Sequence, residues 1–263
     1  LSRHPEKLLN RNYMAMAPLG YYEKSYRLMM LPLQNITQVI TPVMHPIFSE
    51  YQNDLERLAS GYERIVRFLA FIGLPLSVLL YFTAGEVTLI LFGDQWMPSI
   101  PIFRILTLSV GIQIVLSSSG SIFQAAGDTK SLFVCGLFSS VLNVAGILLG
   151  IFRIGTLQAV ATCITLTFTV NFVQCYWMMY RVTLHRSLRH FAVQLVSPLA
   201  VSVLLIAVLY PLSLLTEGGN IFLTLIVKSI IFFCIFGCYI QLTGEYDIIG
   251  KAKGILNKRK SRG

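Results

Sequence analysis

Residues 220–242 read NIFLTLIVKSIIFFCIFGCYIQL, a run of 23 residues with one charged side chain, Lys228. A helix of that length rises about 34 Å, enough for the hydrocarbon core of a bilayer. The rest of the chain has the same character. Of its 263 residues 55% are hydrophobic and only 13% are charged, and the mean hydropathy is +0.68. The charged share is about half that of an ordinary soluble domain, too little to cover a water-facing surface of this size. The same composition excludes a disordered chain, a collagen and a disulfide scaffold. The fold class expected is all-α: a polytopic helical membrane bundle.

Working outward from that run, seven stretches are apolar enough to span: about 28–47, 65–83, 101–125, 131–152, 156–180, 191–213 and 220–242. We call them spans A to G. The chain carries 21 Lys and Arg against 12 Asp and Glu. On a soluble protein such an excess would suggest nucleic acid. Here the cations lie mostly between the apolar runs and in the tail, as cytoplasmic loops would carry them, so no nucleic-acid partner is expected. Arg57, Arg64 and Arg67 lie around the A–B connection, Lys130 between C and D, and Arg181, Arg186 and Arg189 between E and F. Lys251, Lys253, Lys258, Arg259, Lys260 and Arg262 follow G, whereas the opposite loops (84–100, 152–155 and 214–219) hold only Arg153. The positive-inside rule then places the C-terminus in the cytoplasm. Residues 28–242 form the expected membrane domain, and 243–263 a basic cytoplasmic tail. Residues 1–27 are expected to be the end of an upstream helix with an outer loop, since the sequence opens on Leu1 without a signal peptide.

Several spans are irregular. Span A holds Pro32, Pro42 and Pro46 together with Gln34, Asn35 and Gln38. Proline removes a backbone hydrogen bond and kinks a helix, and such breaks are tolerated against protein or a water-filled cavity rather than lipid. Gln34 and Gln38, four apart, share a face with Thr41 and His45; polar packing between helices and a cavity lining are both open readings. Pro75 is expected to kink span B. The run 86–93 is too short to span and reads as a short helix on the outer face ending near Gly93.

Ionisable residues inside spans are functional candidates by default. There are three, all basic: Arg67, Arg104 and Lys228, and no carboxylate falls in any span. Arg67 is placed to snorkel to the cytoplasmic surface. Arg104 sits just inside the outer end of C. Lys228 is about eight residues into G, roughly 12 Å along the axis. Asn171 and Gln174, three apart on E, share a face and can hydrogen-bond sugar hydroxyls or glue helices. The candidate substrate-binding residues are therefore Arg104, Lys228, Gln34, Gln38, Asn171 and Gln174. No nucleophile-base pair, metal-ligand spacing or phosphate-binding loop stands in the sequence, so neither enzyme chemistry, a metal nor a cofactor is expected. A membrane-embedded glycan-modifying ligase or acyltransferase, and an inactive remnant, are the alternatives. Cys135, Cys163, Cys175, Cys234 and Cys238 all fall in apolar runs and read as packing residues.

Residues 19–52, LGYYEKSYRLMMLPLQNITQVITPVMHPIFSEYQ, resemble the middle of bacterial polysaccharide flippases of the MOP exporter superfamily, which handle O-antigen and exopolysaccharide. Leu91-Phe92-Gly93 with Trp96 resembles that family's turn, and Phe123-Gln-Ala-Ala-Gly127-Asp-Thr-Lys130 its loop. The likeness covers about 19–190, and 191–263 in hydropathy only. It implies one half of a two-lobed, 14-helix transporter of lipid-pyrophosphate-linked oligosaccharide or polysaccharide across the inner membrane. Its implied partners are that glycan lipid, membrane lipid and a missing N-terminal half.

Overall fold

A computed structural model describes residues 5–50, 54–154 and 156–243. Ten α-helices run in order: α1 (Pro5–Glu50), α2 (Leu55–Phe82), α3 (Ala84–Phe92), α4 (Ile100–Thr107), α5 (Val110–Leu116), α6 (Ser119–Ala125), α7 (Thr129–Leu149), α8 (Leu157–Met178), α9 (Leu188–Leu215) and α10 (Ile221–Thr243). Every long helix after α1 starts on a short polar residue. Asp54 accepts from the N–H groups of Glu56 and Arg57, Asp128 from Ser131, Thr156 from Ala159, Ser187 from Arg189 and Asn220 from Phe222. These side chains satisfy donors that a helix N-terminus leaves without intrahelical partners.

Five helices are long and apolar enough to cross a membrane: 55–82, 129–152, 157–183, 188–215 and 221–243. They contain spans B, D, E, F and G. Span B begins ten residues earlier than the hydropathy suggests, because Arg57 and Arg64, read as loop, lie in the first turns of α2. Span C is not one rod. Residues 94–107 and 110–125 meet at a bend of 44° and make a sixth crossing if counted together. The cause is local. Thr107, Ser109, Ser117 and Ser118 turn their hydroxyls back onto the carbonyls three residues earlier, at 2.7–2.8 Å. Hydroxyls bonded in this way compete with the helical ladder and bend it. Span A lies within α1, where three prolines and the amides leave it outside the set of helices apolar enough to cross. The helix nevertheless runs unbroken from Pro5 to Glu50, so it contains no interruption at 27/28. The basic tail lies outside the described residues.

The core gathers where α2, the bent segment and α8 meet, with α1 laid along α4, α5 and α6. Two glycines let α2 and α5 approach closely. A Cβ on Gly111 would lie 2.8 Å from the Gly73 carbonyl oxygen, so α2 and α5 touch backbone to backbone. At that point the Gly111 N–H, just beyond the break in the bent segment, donates to Ser77 Oγ at 2.6 Å. α9 covers α2, and α10 rests on α9, α3 and α2 around Phe71, Val201, Leu205, Leu209, Phe232 and Ile240. α7 is peripheral: 11% of its apolar stretch is buried, against 39% for α2 and for α8.

Candidate functional site

The site is built where α2 hands over to α3 and α9 to α10. α2 stops at Thr83, whose N–H and hydroxyl both return to the Leu79 carbonyl, at 2.9 and 2.7 Å. α3 then leads off with Glu86 in its first turn and ends at Gly93, which adopts φ 84°, a conformation that favours glycine. The short helix expected over 86–93 is thus present, over Ala84–Phe92.

Lys228 reaches this junction from the middle of α10. Its Nζ donates to the Phe82 carbonyl at 2.9 Å and forms an ion pair with Glu86 Oε1. The lysine side chain is 5% exposed and the glutamate 13%. A carbonyl at the end of α2 also carries the negative end of the helix dipole, which favours a cation there. Arg104 approaches from α4. Ile102, Phe103 and Leu106 fix that helix in the core and leave the guanidinium exposed. Arg104, Lys228, Glu86 and Glu217 line one cavity of about 650 Å³, together with Tyr81, Tyr210 and Thr224. Tyr81 and Phe82 also line an apolar groove of about 370 Å³ between α2 and α9, with Leu74, Val78, Leu108, Leu199 and Ile206. The two hollows share a wall, one charged and the next hydrocarbon.

Arg104 and Lys228, 124 residues apart in the chain, are therefore brought to one place. The amides are not. Gln34 and Gln38 lie exposed on α1, with Asn35 between them donating to the Leu31 carbonyl at 2.8 Å. Asn171 is buried in α8. Gln174 Nε2 points to Cys135 Sγ and Met178 Sδ, each at 3.7 Å, in the contact between α7 and α8. Among the described residues neither Asn171 Oδ1 nor Gln174 Oε1 has a hydrogen-bond partner. The reading that the spans hold cations without carboxylates is corrected in its consequence. Glu86 belongs to no span, yet it folds against Lys228. The signal was available: a lysine that deep requires a counter-charge, and Glu86 is the acid in the short helix on the same side.

At the opposite end of the bundle the charges are used differently. Arg186, in the connection that precedes α9, ties it to α2, its guanidinium donating to Glu63 Oε1 at 3.1 Å, to the Glu56 carbonyl at 3.2 Å and to Ser60 Oγ at 3.3 Å. Thr183 donates to Asp128 at 2.6 Å. Partial burial raises the Asp128 pKa, but the hydrogen bonds from Ser131 and Thr183 outweigh it and hold the carboxyl below its ordinary range. Among the described residues no three His, Cys, Asp or Glu side chains come together as a metal site would require.

Residues 1–101 match the family described as polysaccharide biosynthesis protein. The chain is 24% identical over 180 residues to the teichuronic acid biosynthesis protein TuaB of Bacillus subtilis, covering 68% of this chain and 37% of that protein. It is 25% identical over 203 residues to the lipopolysaccharide biosynthesis protein WzxC of Escherichia coli, covering 76% and 40%. The succinoglycan biosynthesis transport protein ExoT of Rhizobium meliloti is 24% identical over 169 residues, covering 64% and 34%. The matched region thus spans well under half the length of these relatives. Among solved structures the fold superposes on the lipid II flippase MurJ, inward closed conformation, with a TM-score of 0.69 at 14% identity, over 86% of this chain and 47% of that one. The resemblance read at residues 19–52 is therefore borne out: this is a multi-pass helical membrane protein, similar in sequence to bacterial polysaccharide biosynthesis and transport proteins and similar in fold to the lipid II flippase MurJ.

Proposed function

We propose that the chain is the C-terminal lobe of a flippase that moves lipid-pyrophosphate-linked oligosaccharide or polysaccharide precursors across the bacterial inner membrane. The observation that carries this reading is the pair of adjoining hollows. Arg104 and Lys228 come from distant helices to one cavity, and an apolar groove opens beside it. A diphosphate needs cations and an isoprenoid chain needs hydrocarbon, and the shared wall at Tyr81 and Phe82 sets the two side by side. The charge asymmetry of the loops puts this junction at the outer side and the C-terminus in the cytoplasm. The cations then hold the headgroup at the releasing end of the path.

The exposed amides of α1, Gln34 and Gln38, serve as sugar contacts on the face turned to the other lobe. Asn171 and Gln174 serve α7–α8 packing instead. Transport follows from rocking of two lobes about the shared site, so the N-terminal lobe is the required partner. No step of this process makes or breaks a covalent bond, and the chain is read as a transporter rather than an enzyme.

The test is glycan export in a flippase-null cell. Residues 1–263 alone are expected to restore none, and co-expression with an N-terminal lobe is expected to restore it. Arg104→Ala and Lys228→Ala in the full-length protein should each reduce surface glycan at unchanged membrane level. Full export with Lys228→Ala would overturn the role given to the cavity.

A further inference from the structure

The cavity already contains an acid where an anionic headgroup would bind. We propose that Glu86 is a selectivity element: it occupies Lys228 while the cavity is empty, and only a headgroup with at least two negative charges displaces it. The inference rests on the reading above and adds which phosphate lipids the cavity refuses.

The argument starts from desolvation. Lys228 is 5% exposed in the middle of an apolar helix, and a buried cation needs an anion in every state of the protein. Glu86 supplies it when no ligand is present. The two partners are not equally fixed. Lys228 is held by the Phe82 carbonyl as well as by the acid. Glu86 stands in the first turn of a nine-residue helix and keeps some exposure to the cavity it lines. Of the two, the glutamate is the one free to swing into water.

The charge balance then sets a threshold. The ionisable groups lining the cavity are Arg104 and Lys228 against Glu86 and Glu217, so the empty cavity is formally neutral. A headgroup with one negative charge gains nothing over Glu86 at Lys228. It exchanges one monoanion for another and leaves the carboxylate to be rehydrated. A diphosphate reaches Lys228 and Arg104 together and neutralises both. A bilayer supplies monoanionic and zwitterionic phosphodiesters in great excess, and an open lysine would bind them. Building a competitor into the site is the form of discrimination that works against the wrong ligand rather than for the right one.

The experiment uses the purified full-length protein in detergent and two probes, farnesyl diphosphate and dihexanoyl phosphatidylglycerol, with affinities read by thermal shift and calorimetry. The wild type is expected to prefer the diphosphate by at least about tenfold. In Glu86→Gln the phosphatidylglycerol should tighten by about tenfold, so that the preference shrinks towards one. Glu86→Asp, which keeps the charge but draws it back from Lys228, should fall between the two and covers the case in which the glutamine variant does not fold. Unchanged preference in the folded glutamate variants would overturn the selectivity role and leave the proposed function standing. A wild type that binds neither probe would overturn both.

Discussion

The two ends of this bundle spend their charges in opposite ways. At the α2–α3 and α9–α10 junction, a lysine and an arginine face a cavity, and one acid partners the lysine from a nine-residue helix outside the spans. At the other end, Arg186 is tied to three groups on α2 and Asp128 to Thr183 and the start of α7. Between them a column of buried rings carries the tie inward. Tyr62 and Tyr176 stack with centroids 6.5 Å apart and hydrogen-bond through their hydroxyls at 3.0 Å. Ser118 joins Tyr62, and the Val115 carbonyl accepts from Tyr176 at 2.9 Å. One end is arranged to exchange partners and the other to keep them.

The sharpest way to break this contrast is to remove one charge at each end. Glu86→Gln leaves Lys228 buried without its anion and should cost about 3–5 kcal/mol, whereas the double variant with Lys228→Met should recover most of that loss. Chemical denaturation in detergent would read both. A double variant as unstable as the single one would show that the pair is not an isolated couple. Arg186→Ala comes next, at about 1.5–3 kcal/mol for several charge-assisted bonds at one side chain. Unlike Lys228→Met, it should leave the affinity for farnesyl diphosphate unchanged. A loss of affinity would mean that the two ends communicate.

A smaller effect is expected in the column between them. Tyr176→Phe keeps the ring stack and removes two hydrogen bonds, so it should cost about 1–2 kcal/mol. A value near zero would mean that stacking alone holds the column. The smallest effect is titration of Asp128. Because its folded pKa lies below the ordinary 3.8, its contribution is complete above that ordinary value. It is lost as pH falls through the lower, folded value. Thermal unfolding followed from pH 6 to pH 3 should show a decline that is shallower in Asp128→Asn. Equal slopes would remove Asp128 from the braced end.

Much of this was legible in the residues. The five long spans and the short helix after span B follow from hydropathy, and Arg104 and Lys228 stand out by the cost of a charge in hydrocarbon. What was not legible is three-dimensional. The residues say that Lys228 needs a counter-charge and offer Glu86 on the same side, but only the fold closes the pair across 142 positions. The bend in span C is encoded in Thr107, Ser109, Ser117 and Ser118, but hydropathy averages over hydroxyls and returns one rod. Asn171 and Gln174 share a face as their spacing requires. Spacing cannot say that this face meets Cys135 and Met178 on neighbouring turns rather than a ligand.

The resembling stretches at 19–52 and 91–96 meet in space: Tyr21 packs edge-on against Trp96 at 5.6 Å, and the Lys24 ammonium stands over the Trp96 and Phe92 rings at 5.5 and 5.1 Å. The chain has two tryptophans, and the second, Trp177, is exposed on α8. With Trp177 replaced by phenylalanine, the remaining indole emits from the seam between α1 and the α3 turn. Its fluorescence is set by a cation and a tyrosine that belong to a different helix. The molecule carries its own optical gauge of how closely that seam is packed.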